Sequence, residues 1–139
     1  MKNILAAPLL LALIAATPPT PTVQVATGDW SKLPALEHGD YNHLSSAIMS
    51  KIYEIGRQNR CKLPGQYANH IDLSISFAAQ FGPDGKLARL LLPQLNCPEA
   101  ESWLGGTLVQ SIQHGDFRPG RNVNPEGWYR GDFSFYYEG

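Results

Sequence analysis

No apolar run in this chain reaches the roughly twenty residues that a helical bilayer span requires. The longest, ILAAPLLLALIAA at Ile4–Ala16, holds thirteen residues and follows a positive charge at Lys2. That pattern fits the hydrophobic region of a secretory signal, with Ala15 and Ala16 offering a small-residue cleavage site. Residues 1–16 are therefore expected to direct export and to leave a mature chain with no stable membrane insertion. Cysteine is scarce as well. None follows the apolar run closely, which argues against a lipid anchor, and the two present, Cys61 and Cys97, lack a Cys-x-x-Cys spacing. In an exported chain an even pair reads as a disulfide. The rival use, a metal site completed by His70 or His114, lacks the ligand spacing of a zinc site.

An excess of charge is also missing. With 11 basic and 12 acidic residues the formal net charge is -1. This excludes the broad basic footprint of a nucleic-acid binder. The small groups Arg57–Arg60–Lys62 and Arg118–Arg121 read as solvated surface. No Gly-rich phosphate loop, P-loop lysine motif or His-Glu-x-x-His appears, so no cofactor and no metal is expected. Cys61 or Cys97 with His70 or His114, and Asp72 or Asp116, would supply a nucleophile, a base and an orienting group. A disulfide would consume both thiols. Glu99, Glu101 and Asp116 contain a carboxylate pair of the kind that cleaves glycosides. The two glutamates are already accounted for by the positive end of a helix dipole. A non-enzymatic chain is expected.

What is present is a patterned domain behind a short linker. TPPTPTVQVATGDWSKLPALEHG, residues 17–39, is rich in Pro and Thr and reads as an extended linker whose later part lies on the domain through Trp30 and Leu33. The domain is expected over 40–139. Asp40–Cys61 carries Leu44, Ala47, Ile48, Ile52 and Ile55 at three- and four-residue steps and predicts a helix, with Asp40 or Asn42 as cap. Asn69–Phe81 alternates apolar and polar residues, the signature of a strand with one wet face. GPDG at 82–85 is a turn, and Lys86–Leu95 is the return strand. Cys97–Gly115 predicts a second helix, capped by Asn96, with Pro98 in its first turn and Gly115 as terminator. Gly105-Gly106 inside it implies close backbone packing. Trp128–Tyr137 is an aromatic last strand, with Tyr129, Gly131, Phe133, Phe135 and Tyr137 on one face and Arg130, Asp132, Ser134 and Tyr136 on the other. The fold class expected is α+β, two helices on a three-stranded antiparallel sheet in the order α-β-β-α-β.

YNHLSSAIMSKIYE, ISFAAQFGPDGKLARLLL and DFRPGRNVNPEGWYRGDFSFYY, taken in order, resemble the C-terminal domain shared by the TonB and TolA periplasmic proteins. The resemblance runs over about Tyr41–Tyr137. It implies a periplasmic domain that binds rather than catalyses. An envelope or outer-membrane partner would lend an extended segment to a free sheet edge, and a homodimer through the same edge would use the same groups. The edge it implies is the last strand, Trp128–Tyr137, so the partner-binding residues expected are Trp128, Tyr129, Arg130, Asp132, Ser134 and Tyr136, with Arg118 and Arg121 at the rim. Cys61, lying before the first strand, departs from the TolA pattern; paired with Cys97 it would tie the end of one helix to the start of the other.

The short apolar run and short linker separate this chain from the energy transducers of that family, so a free-standing adaptor or accessory subunit is expected. Two other readings stand beside it: an inhibitor presenting the Arg118–Trp128 loop to an enzyme, and a transducer if the N-terminus stays in the membrane as an anchor.

Overall fold

The computed structural model describes residues 20–39, 45–120 and 127–139. The elements in chain order are β1 (Thr22–Val25), β2 (Glu37–His38), α1 (Ser45–Gln58), β3 (His70–Phe81), β4 (Leu87–Leu92), α2 (Pro98–Gln113), β5 (Phe117–Arg118) and β6 (Trp128–Glu138). Residues 1–16 and the expected caps Asp40 and Asn42 lie outside the described residues. Among the described residues no helix is long and apolar enough to cross a membrane.

β3 is the spine. It pairs antiparallel with β4 on one side and with β6 along its whole length on the other, from His70↔Glu138 to Gln80↔Trp128. Ile71, Leu73, Ile75, Phe77 and Ala79 turn one face inward and are buried; Asp72, Ser74 and Ser76 turn outward and are exposed. The helices close the inner face, α1 over β6 and α2 over β4 and β1. Ile48, Met49, Ile52 and Ile55 from α1 meet Ala100, Leu104, Leu108 and Ile112 from α2 in one core. Phe117 enters the same core, its ring edge-on to Phe77 at 5.3 Å.

The expected three-stranded antiparallel sheet is corrected. The sheet has four strands, in the order β1-β4-β3-β6, and is mixed, because β1 runs parallel to β4 from Thr22↔Arg89 to Val25↔Leu92. A separate two-stranded ribbon pairs β2 with β5. The extra strand comes from the stretch read as linker. Its prolines stop at Pro21 and resume only at Pro34, and between them Val-Gln-Val alternates as a strand should. Without β1, the outer backbone groups of Arg89–Leu92 would be an open edge. Val23 and Val25 pair beside Leu90 and Leu92 on the helix side, and a Cβ on Gly105 would stand 2.7 Å from Val23 Cγ1. Gly105 is thus where α2 makes room for β1.

After β1 the chain crosses the outer face of the sheet. The Ala26 N–H donates to the Leu92 carbonyl at the β4 edge (2.8 Å). Asp29 and Trp30 close two small turns, and the chain then reaches the β6 edge. There Arg130 donates its N–H to the Pro34 carbonyl (2.9 Å) and accepts from the Leu36 N–H (2.7 Å). From β1 to Ala35 lie four strand spacings, about 19 Å, which nine or ten extended residues span with slack. One segment therefore straps the sheet at both edges.

Cys61 and Cys97 form a disulfide, with Cα atoms 5.5 Å apart, that joins the loop after α1 to the start of α2. Cys97 is itself the N-cap of α2 and makes no side-chain cap bond. Asn96, expected in that role, instead takes a left-handed conformation (φ 58°), a backbone state that asparagine tolerates better than most residues.

Candidate functional site

Residue parity decides which backbone groups of β6 are available. In an antiparallel pair, residues that exchange bonds with the neighbour alternate with residues whose N–H and C=O point away. The Gly139 N–H donates to the Asn69 carbonyl (2.9 Å) and the Phe81 N–H to the Gly127 carbonyl (2.8 Å), so the odd-numbered residues of β6 face β3. The even-numbered ones, Arg130, Asp132, Ser134 and Tyr136, present their backbone outward. Arg130 is taken by the strap. Among the described residues, no backbone group pairs with the outward side of Asp132, Ser134 or Tyr136.

The expected binding residues divide accordingly. Asp132, Ser134 and Tyr136 are exposed on the open part of the edge. Arg130 is half-buried: its Nη1 donates to the Ser31 carbonyl (2.6 Å), and its Nε lies 2.9 Å from Asp132 Oδ2 without an aligned hydrogen bond. Tyr129 is corrected. It faces the core, 5 % exposed, with its ring edge-on to Phe81 at 5.8 Å, because its parity places it on the helix side. Trp128 is half-buried at the start of the strand. Arg118 sits in the β2–β5 ribbon opposite Glu37, apart from the open edge. Arg121 and the tip of the Arg118–Trp128 loop lie outside the described residues.

The open edge has two unlike flanks. On the outer face Ser134 and Ser74 share a hydrogen bond at 2.8 Å, and Ser76 donates to Asp132. Farther along, Tyr67 stacks on His70 with centroids 4.5 Å apart, and His70 leans on Tyr136 at 5.5 Å. The Tyr136 hydroxyl donates to Glu138 Oε1 (2.7 Å), and that bond to a carboxylate raises the phenol above its ordinary range. On the helix side a cavity of about 430 Å³ lies between α1 and the end of β6, lined by Ser50, Tyr53, Glu54, Arg57 and Tyr137. Its floor is aromatic, with Tyr53 and Tyr137 rings 5.4 Å apart and the Arg57 guanidinium 5.9 Å above Tyr53. A second hollow of about 370 Å³ lies between the strap at Trp30 and the Pro93–Leu95 segment, floored by Ser74 and Ser76.

The residues considered for catalysis are placed otherwise. Both thiols are consumed in the disulfide. His70 is held between two tyrosine rings, and His114 is the C-cap of α2. The Asp116 N–H donates to the Ser111 carbonyl in the turn that leaves α2. Among the described residues no three of His, Cys, Asp and Glu converge to hold a metal ion.

Sequence reasoning missed two parts of this site. The later part of the Pro/Thr-rich run was expected to lie on the domain through Trp30 and Leu33, but not to pair with Arg130 and so shorten the open edge. The Tyr67–His70–Tyr136 stack joins residues far apart in the chain, and only the β3–β6 register brings them together. Comparison of the chain with known protein families, with curated proteins and with solved structures finds no match.

Proposed function

We propose that this chain is a non-enzymatic interaction module of the cell envelope, an adaptor or accessory subunit that takes a partner's extended segment as an added strand on the outer edge of β6. One observation carries the reading. At Arg130 this edge already accepts an extended segment, the chain's own Pro34–Leu36, and immediately beyond it Asp132, Ser134 and Tyr136 offer the same outward groups, unpaired among the described residues. An incoming backbone gains the hydrogen bonds that water now supplies, while its side chains sample the two flanks alternately. The disulfide supports export to an oxidising compartment such as the periplasm. The resemblance to TonB and TolA C-terminal domains supports the same mode of binding.

The test is a proline at position 134. The Ser134 N–H points away from β3, so Ser134→Pro removes one outward donor and no bond of the β3–β6 ladder. Crosslinking in the periplasm from a photoreactive residue at Tyr136 is expected to yield a discrete adduct that Ser134→Pro abolishes, while the urea midpoint stays near that of the parent. An adduct of undiminished yield in the proline variant would refute strand addition at this edge.

A further inference from the structure

We propose that the segment received by the β6 edge is basic, an extended stretch of a partner protein about seven residues long with lysine or arginine at every second position, alternating with apolar side chains. This rests on the strand-addition reading above and supplies the chemistry of the occupant.

A strand laid against Asp132–Glu138 sends alternate side chains to opposite flanks. On the outer flank those side chains pass Asp132, Tyr136 and Glu138 of β6, with Asp72 of β3 directly opposite Tyr136. Three carboxylates there face one guanidinium, Arg130, and that one is already spent on Asp132 and the Ser31 carbonyl. Tyr136 is 60 % and Tyr67 59 % exposed, and a tyrosine ring face attracts a cation. The outer flank is therefore built for positive charge. The helix flank is not. Its aromatic floor of Tyr53 and Tyr137 suits an apolar side chain, and Glu54 and Arg57 beside it balance each other and leave no net charge to favour a cation. Length follows from the ends of the site: four outward residues, 132, 134, 136 and 138, are flanked on one side by the strap at Arg130 and on the other by the end of β6 at Glu138. The chain as a whole carries a net charge of only -1, so a preference for basic peptides would come from this flank and not from bulk attraction.

The probes are two synthetic heptapeptides, Lys-Val-Lys-Val-Lys-Val-Lys and Glu-Val-Glu-Val-Glu-Val-Glu, titrated into the isotope-labelled mature protein and followed by amide chemical shifts. The lysine peptide is expected to shift the amides of Asp132, Ser134 and Tyr136. It should bind roughly tenfold more tightly than the glutamate peptide at low salt, as two exposed charge pairs, attractive for lysine and repulsive for glutamate, allow. The preference should shrink at high salt through screening, and the double variant Asp72→Asn/Glu138→Gln should lose most of it without changing the fold. Equal binding of both peptides at those amides would overturn the basic occupant and leave strand addition standing. If neither peptide shifted the edge amides, both readings would fall. A lysine peptide that bound elsewhere, or was indifferent to the double variant, would also overturn the proposal.

Discussion

Gly131 lies inside β6 where the core face has no room for a side chain. It pairs with Phe77 across the β3–β6 ladder on the core face, and a Cβ placed on it would lie 2.1 Å from Phe77 Cζ and 2.4 Å from Cε1. The ring cannot retreat, because Phe77 is fully buried with Phe117 edge-on at 5.3 Å and Phe133 tilted against it at 6.0 Å. Overpacking of this kind costs about 1–3 kcal/mol. The lower entropy of the unfolded chain on replacing Gly by Ala returns about 0.4–1 kcal/mol. Gly131→Ala should therefore destabilise by about 1–2 kcal/mol net. Phe77→Leu shortens the ring that causes the clash, at its own cost in lost packing. In the double variant the alanine methyl fills part of the vacated space, so the two changes should couple favourably by about 1 kcal/mol. Urea unfolding of the oxidised protein, followed by circular dichroism for all four members of the cycle, measures this directly. Additivity within about 0.5 kcal/mol, or a neutral Gly131→Ala, would refute the reasoning that Gly131 exists to admit the Phe77 ring.

Two further perturbations use the same assay. The Cys61–Cys97 bridge spans a sequence separation of 36, so the chain-entropy relation gives a contribution of about 4 kcal/mol. Replacing both cysteines by alanine should move the urea midpoint down accordingly, and an unmoved midpoint would show that the bridge contributes nothing to stability. The paired glycines of α2 should behave oppositely. A Cβ on Gly106 would meet nothing within 4 Å, so Gly106→Ala should gain about 1 kcal/mol. Gly105→Ala must push aside Val23 Cγ1 at 2.7 Å and Leu92 Cδ1 at 3.1 Å and should gain nothing. Equal gains at both positions would mean that β1 yields freely.

The elements that could be read from the sequence were those whose signal is local. Ile71 to Phe77 alternates cleanly because β3 is central and wet on one face, and the core stripes of α1 and α2 repeat at helical spacing. Gly115 ends its helix at φ 86° as its position suggests. What escaped was decided by distance in space. Four residues of Thr-Val-Gln-Val carry too short a pattern to outweigh prolines on either side, and their partner, Arg89–Leu92, lies beyond α1 and β3 in the chain. The open edge itself was legible only in part. Even-numbered residues of β6 were placed on one face correctly, but which backbone groups remain unpaired depends on the strap and on the register of β3. Tyr129 shows the consequence: the resemblance placed it among the partner-binding residues, while its parity commits it to the core.

The two edges of the sheet are managed differently, and that difference can be tested. At β4 the chain covers its own edge with β1, a strand whose four residues are all exposed and whose valines keep 40 % and 48 % of their surface. Burying about half of each valine contributes roughly 1 kcal/mol apiece, and ordering four backbone residues costs about 1–2 kcal/mol each, more than the valines supply. β1 is therefore weakly held, and its main effect is to deny the Arg89–Leu92 edge to other chains. At β6 the open residues include Asp132 and Glu138, charges of the kind that blunt an edge against indiscriminate pairing. A chain beginning at Thr27 should then lose little stability, yet it should self-associate through the uncovered β4 edge. Analytical ultracentrifugation over a wide concentration range is expected to show a dimer for this chain where the parent shows none at that edge. A synthetic peptide of residues Thr20–Ala26, which restores the missing strand in trans, should dissolve that dimer. A truncated chain that stays monomeric throughout, or one that unfolds, would show that β1 is an integral strand of the core and not a cover.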